Sequence, residues 1–273
     1  MIKKVYILFV FFLTIFILFN FNKTNFKPID LDLNQIDNSK MLEKPIKNEI
    51  IEKINAKNRL INSISYNKIE IKADLIKLTA ILNYEKKLNF RMITNSFLGK
   101  ESDLGSNDSN FWFWSRQMNP PYLFYSNHEN LHKTRLRTPF NPKWMIKILG
   151  INEIDEYDAC FLYKENLFAI VKYDKNNYNK KITLIDLIDI EKNAFYGHYI
   201  FNSYNEMMVA AEVKDYYYID GSAVPKTIYI NWIEENLNVI WNLSKPSLNQ
   251  NLSKENWLMP NNYKKVDLID YKD

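Results

Sequence analysis

The chain opens on an almost unbroken apolar run, residues 5–19, and then mixes hydrophobic and polar positions in two regular periods. After Pro45, the three-and-four spacing of Ile46, Ile50, Ile51, Ile54 and Ile61 predicts an amphipathic helix with proline in its first turn. A second predicted helix is bounded at both ends. Asn141 caps it, Pro142 takes the first helical position, Trp144, Met145, Ile148 and Leu149 form an apolar face, and Gly150 stops it. Almost everywhere else the period is two. Ile69, Ile71 and Ala73 alternate with polar neighbours, and Ile76, Leu78, Ala80, Leu82 and Tyr84 do so one step out of phase. Runs rich in β-branched and aromatic residues at 167–173, 182–188 and 198–204 predict further strands. Two hairpins follow: 209–219 turning at Asp220-Gly221, and 227–233 separated from 237–243 by Glu234-Glu235-Asn236.

Antiparallel strands in chain order, few helices and no alternating strand-helix units predict a mainly β fold with helices (α+β). The expected architecture is an unclosed antiparallel β-barrel, or strongly curved sheet, with helices packed at its open side. Lys3 and Lys4 ahead of the apolar run give it the layout of an export signal. The run is at the lower limit for crossing a hydrocarbon layer of ~30 Å. No small-x-small cleavage site follows, since Asn20-Phe21-Asn22-Lys23 offers none. The reading is therefore residues 1–21 as a signal or uncleaved membrane anchor, 22–41 as a polar tether, and 42–273 as one domain. With the basic end cytoplasmic, that domain is exported to the periplasmic side of a bacterial cell envelope. The single cysteine, Cys160, forms no internal disulfide, and its apolar strand context predicts burial.

Composition sharpens the middle of the chain. Of 36 basic residues only five are Arg, and four of these (Arg91, Arg116, Arg135, Arg137) fall within 90–137, with two of the five Gly and two of the six Trp. The stretch 99–114 departs most from the Lys, Asn and Ile background. There, Gly99 and Gly105 are expected in tight turns, while Asp103, Ser106, Asn107 and Asp108 bond to nearby backbone. Asp103 or Asp108, paired with Arg116, Arg135 or Arg137, is expected to fix the loop, with Arg91 a further organising residue. Phe111 and Phe113 then point to one side of a strand and Trp112 and Trp114 to the other. One pair is expected to line the concavity and the other to meet the helices. The net charge of +4 is spread as lysines interleaved with acids, without the basic stripe that follows a nucleic-acid backbone.

Aromatic residues make up 15% of the chain, enough to require an account of where the rings go. Two accounts stand: the rings fill the core, or they line an incompletely filled concave face that accepts an apolar guest. The candidate lining is Phe90, Phe111, Trp112, Phe113, Trp114, Tyr122, Phe124, Trp144 and Trp232.

Several local motifs, in this order, carry a family resemblance. They are an amphipathic helix leading into 69–84, then Tyr84-Glu85-Lys86-Lys87-Leu88-Asn89-Phe90-Arg91-Met92, then Asp103-Leu104-Gly105-Ser106-Asn107-Asp108, Phe111-Trp112-Phe113-Trp114 and Leu136-Arg137-Thr138-Pro139-Phe140-Asn141-Pro142-Lys143-Trp144, with a closing hairpin over 225–243. Over residues 48–259 the chain resembles the LolA/LolB-like lipoprotein-carrier superfamily, in particular its lipoprotein-sorting-like envelope members. Lys87 stands where these carriers usually have proline, and no lipid-attachment cysteine follows the signal. The resemblance implies a lipid-binding domain whose apolar concavity holds acyl chains of a lipoprotein or related lipid, in a carrier or receptor role without catalysis or cofactor. Attachment would be by the N-terminal anchor, and the implied partners are envelope lipoprotein-transport components.

One motif points elsewhere. His128-Glu129-Asn130-Leu131-His132 matches the H-E-x-x-H pattern of zinc peptidases, in which two imidazoles on one helical face bind the metal and the glutamate serves as base. Asn152-Glu153 downstream is a possible third ligand. The surrounding sequence argues against a buried metal helix: residues 122–125 read as strand, Lys133 and Arg135 follow at once, and Pro139 leaves little room. His198 reads as an ordinary strand residue, and no phosphate loop, nucleotide fingerprint or G-x-S-x-G elbow is present.

Overall fold

The structure, a computed structural model, describes residues 26–31, 33, 44–73, 76–134, 142–164, 166–176, 178–233 and 236–271. The run 5–19, most of 22–41, Arg135, Arg137 and the capping Asn141 lie outside these residues. Two α-helices are present among them, α1 (Lys44–Arg59) and the short α2 (Pro142–Lys147). Among the described residues no helix is long and apolar enough to cross a membrane.

The strands form one large sheet. A first meander runs through β1 (Ser63–Ala73), β2 (Ile76–Glu85), β3 (Asn89–Ser96), β4 (Gly99–Ser106), β5 (Asn110–Ser115) and β6 (Leu123–Asn127). A second runs through β7 (Ala159–Lys164), β8 (Leu167–Lys175), β9 (Lys181–Asp189), β10 (Ala194–Phe201), β11 (Met207–Ile219), β12 (Ser222–Trp232) and β13 (Leu237–Leu243). Antiparallel pairing of β1 with β13 joins the two meanders, and β14 (Ser247–Leu248) adds to β1. β15 (Lys265–Asp267) returns parallel to β6, so the order ends in β15 at one edge and β7 at the other. The sheet is curved and does not close, as the alternation of strand residues predicts.

With five Gly in the whole chain, many tight turns fall to Asn and Asp. Asn179, Asn193, Asn205, Asp220, Asn236 and Asn249 all adopt positive φ, a region these short polar side chains tolerate. Both predicted hairpins are present. Asp220 and Gly221 have φ of 50° and 76°, the pairing a two-residue hairpin turn requires, and Trp232 stands opposite Leu237 across the second turn. The strand predicted at 198–204 ends instead at Phe201, because Asn202 accepts the N–H groups of Tyr204 and Glu206 and folds a turn there.

Period-two alternation decides what each face buries. The inner face of β1–β5 and β10–β13 forms the main core, with Ile69, Ile71, Leu82, Phe90, Ile228, Ile230, Val239 and Trp241 almost wholly buried. α1 covers the same face farther along, through Ile51 and Ile54 against Phe168, Ile170, Ile188 and Phe195. Burial of Cys160 in that cluster pushes its thiol up from the ordinary range. Since β6 lies near one edge and β7 forms the other, the connection between them, residues 128–158, must traverse the sheet, and it lays α2 on the main core.

Two peptide segments cover the outer face. Residues 26–31, which the sequence reading assigns to a tether, pack Ile29 and Leu31 against Phe161, Leu187, Tyr199 and Phe201. The Ile29 N–H donates to Glu212 Oε1 at 2.6 Å, and this fully buried carboxylate also meets Lys214 and accepts from the Tyr199 hydroxyl. At the other end of the sheet Met259 and Tyr263 pack on Trp112, Trp114 and Leu123.

Candidate functional site

Strands β3, β5 and β6 present aromatic rings to the inner face, with Leu104 of β4 between them. Phe113 stacks on Phe111 and on Phe124 with centroids 6.3 and 5.3 Å apart, and Tyr122 meets Phe124 edge-on. Phe90, Phe111, Phe113 and Phe124 are buried, Tyr122 partly so. α2 supplies Trp144 and Met145 to the same cluster, and Trp144 lies 6.5 Å from Trp232 of β12. Seven of the nine sequence-proposed lining residues thus share one side of the sheet. Their rings belong to one core cluster, in which Phe124 also meets Tyr271 edge-on at 5.1 Å, and the Trp144 indole N–H has no hydrogen-bond partner among the described residues.

The other two, Trp112 and Trp114, point to the outer face, as alternation along β5 demands. They meet the C-terminal segment, not the helices, which corrects that expectation: both α-helices lie on the opposite side, and Tyr263 stacks on Trp114 at 4.6 Å. Gly105 is no turn residue either. It lies within β4 opposite Trp112, and a Cβ built there would fall 2.2 Å from the indole ring. Gly99 closes the β3–β4 turn as the first residue of β4, opposite Ser96, with φ of 107°.

The ion pairs of this region differ from those expected, for the same geometric reason. Asp103 is fully buried on β4 and does not pair with Arg116, while Arg135 and Arg137 lie outside the described residues. Arg91, adjacent on β3, grips it in a two-pronged contact of 3.1 and 2.8 Å, and Lys100 adds a third at 2.5 Å. Burial pushes the Asp103 carboxyl up, but Arg91 and Lys100 outweigh that and hold it below the usual carboxylate range. Arg91 Nη1 also donates to the Asn256 carbonyl, and Asn107 Nδ2 to the Trp257 carbonyl. Arg91, Asp103 and Asn107 therefore clamp the C-terminal segment to the outer face. The Asn107 Oδ1 accepts from Ser109 and Asn110 N–H to shape the β4–β5 turn, with Asp108 exposed at its tip. Arg116 pairs with Glu101 at 3.0 Å and donates to the Leu98 carbonyl.

The H-E-x-x-H stretch does not form the face its motif needs. Residues His128–Lys133 make a 3-10 helix, where positions four apart lie about a third of a turn out of line. His128 Nε2 donates to the Asn107 carbonyl at 2.8 Å, and burial holds its imidazole below the ordinary value. His132 is exposed. Glu153, the possible third ligand, pairs with Arg59 of α1. No group of three or more potential metal ligands occurs among the described residues.

Sequence reasoning missed a buried polar latch at the end of α2. His198 of β10 is 4% exposed, its Nε2 donating to the Lys147 carbonyl and its Nδ1 meeting Asp186 Oδ1 of β9 at 2.5 Å. Lys147 Nζ closes the ring at 3.1 Å from Asp186 Oδ2. Burial alone would raise the Asp186 carboxyl; His198 and Lys147 beside it overcome this and hold it at about 2. Behind the latch, Gly150 at φ of 64° lets the chain turn against Phe195, and Asn55 and Asn58 of α1 hold residues 150–154 through side-chain bonds to their backbone.

The sequence matches no protein-family model and no curated protein. Solved structures do superpose on it. A putative outer membrane lipoprotein-sorting protein domain from Vibrio parahaemolyticus aligns with a TM-score of 0.54 and 9% identity, over 77% of this chain and 94% of that one. A DUF1329 family protein from Desulfovibrio piger aligns at 0.51 and 10% identity, over 79% and 98%. A LolA superfamily protein from Nitrosomonas europaea superposes more loosely, at 0.44 and 11% identity over 78% and 97%. At such identities the likeness is one of fold: the chain has the unclosed-sheet architecture of the lipoprotein-sorting domain, in agreement with the resemblance carried by its local motifs.

Proposed function

We propose that this chain, which has the LolA/LolB-like fold, is an envelope protein that binds the acyl chains of a lipoprotein or related lipid, in a carrier or receptor role without catalysis. The observation that carries the reading is the aromatic inner face formed by Phe90, Phe111, Phe113 and Phe124, in one apolar cluster with the six-residue helix α2. A guest enters as α2 lifts, replacing ring-on-ring packing with acyl contact, and each methylene removed from water contributes about 0.8 kcal/mol. The Trp144 N–H, without a partner among the described residues, then offers one donor for an ester or amide carbonyl of the guest. The tip between β3 and β4, with Phe97 95% and Leu98 62% exposed, is an apolar point at which the domain meets a lipid surface. Residues 1–21 as anchor and a periplasmic location belong to the same reading, as does a partner among lipoprotein-transport components.

Native mass spectrometry of full-length protein purified from its host tests this. A copurifying acyl species is expected, together with saturable uptake of the apolar dye N-phenyl-1-naphthylamine. Phe113→Asp should abolish both, and Trp144→Ala should speed dye exchange while leaving the sheet folded. Absence of any acyl species together with failure of the dye to saturate the wild-type protein would sink the proposal.

A further inference from the structure

A cleft of about 630 Å³ opens at the far end of the second meander, where the β8–β9 strand ends meet the β10–β11 turn. Lys175 and Lys181 line it as direct cross-strand partners. Like charges set opposite each other on a ladder destabilise it, and among the described residues neither ammonium has an ion-pair partner. Asp174, the one carboxylate in the lining, stands against two lysines, and its Oδ1 accepts the Lys175 N–H. The cleft therefore carries net positive charge, a cost to the empty hairpin that a bound anion would remove.

The remaining lining is suited to a polyhydroxylated ring. Asn202 is consumed in shaping the turn, accepting from Tyr204 and Glu206 N–H and donating to the Glu206 carboxylate at 2.8 Å. That turn delivers Ser203 and Asn205, with the latter at φ of 63°, to the cleft beside the Thr183 hydroxyl. These three side chains make no hydrogen bond to another described residue. Tyr173, opposite Thr183 in the ladder, keeps 62% of its surface exposed at the cleft wall, an aromatic face for the polarised C–H groups of a sugar.

We propose that this cleft binds a phosphorylated saccharide, with the phosphoryl group between Lys175 and Lys181, the hydroxyls on Thr183, Ser203 and Asn205, and the ring against Tyr173. The site is independent of the acyl-binding reading, since it lies on other strands and uses other residues. The phosphorylated sugar can be a soluble metabolite or the headgroup of a glycolipid.

Calorimetric titration of the full-length protein at low salt with glucose 1-phosphate, glucose, inorganic phosphate and lipid A micelles tests the proposal. Binding of glucose 1-phosphate about tenfold tighter than glucose or phosphate supports a soluble source, and binding of lipid A alone supports a headgroup. In either case the double variant Lys175→Gln/Lys181→Gln should weaken binding about tenfold or more, and Tyr173→Ala should weaken it while leaving the melting temperature unchanged. Absence of binding by all four probes, or equal affinity in the double variant, overturns the proposal. Inorganic phosphate binding as tightly as glucose 1-phosphate overturns its saccharide half.

Discussion

At the scale of single residues, the conspicuous chemistry of 90–116 is structural cement between two strands and a returning C-terminus. Asp103 is the centre of it. Its carboxylate is buried and satisfied by Arg91 and Lys100, so Asp103→Ala leaves the Arg91 guanidinium facing an apolar methyl and should cost about 3–5 kcal/mol in urea unfolding at neutral pH. The pH dependence has a definite sign. Because the folded carboxyl is held below its unfolded value of about 4, its contribution is complete above that value and is lost as pH falls through the folded one. Wild type and Asp103→Asn should therefore differ most at neutral pH and converge in acid, and parallel curves down to pH 2 would refute this account. Gly105→Ala should also be costly, about 1–3 kcal/mol, since the added methyl meets the Trp112 ring. Gly99→Ala meets nothing within 4 Å and should cost only its positive φ, about 1–3 kcal/mol.

The short α2 is the element on which the proposed binding turns. Six residues are too few for an independently stable helix, so its position depends on Trp144, Met145 and the latch to His198. Replacing His198 with Ala removes the donor to the Lys147 carbonyl and leaves Asp186 with Lys147 as its remaining partner. Amide exchange across 144–150 should then accelerate by roughly tenfold while exchange in β1, β12 and β13 holds steady. Uniform acceleration throughout would show that His198 supports the whole sheet and not the roof. The 3-10 conformation of His128–Lys133 makes the complementary point: a motif defined on one helical geometry loses its meaning on another.

For the whole molecule, one sheet with two edges has more face than the two described α-helices cover, and the segments before α1 and after β14 cover more of it. Removal of residues 254–273 should uncover Trp112, Trp114 and Leu123 and strip Arg91 of its Asn256 contact. The truncated protein should bind 1-anilinonaphthalene-8-sulfonate strongly and aggregate, a behaviour that light scattering would register. An unchanged monomer would mean that the segment adds little.

Much of the sheet was legible because strand alternation is local: Ile69 to Tyr84, the Asp220-Gly221 hairpin and the opposite facing of Phe113 and Trp112 all follow from period two and turn chemistry. Gly150 as the stop after α2 was legible for the same reason. The pairings were not. Arg91 was matched with no acid in advance and Asp103 with Arg116, which instead meets Glu101, because hydrogen-bonding partners across adjacent strands depend on register, which pattern alone leaves open. Asp186 and His198 face each other across the β9–β10 hairpin, but Lys147 reaches them only because the β6–β7 connection crosses the sheet. The sequence by itself determined which residues alternate, where the chain turns and therefore the class of fold. Only the tertiary structure decided which segment covers each face and which charges meet, because covering and pairing depend on distances between parts of the chain that no local period encodes.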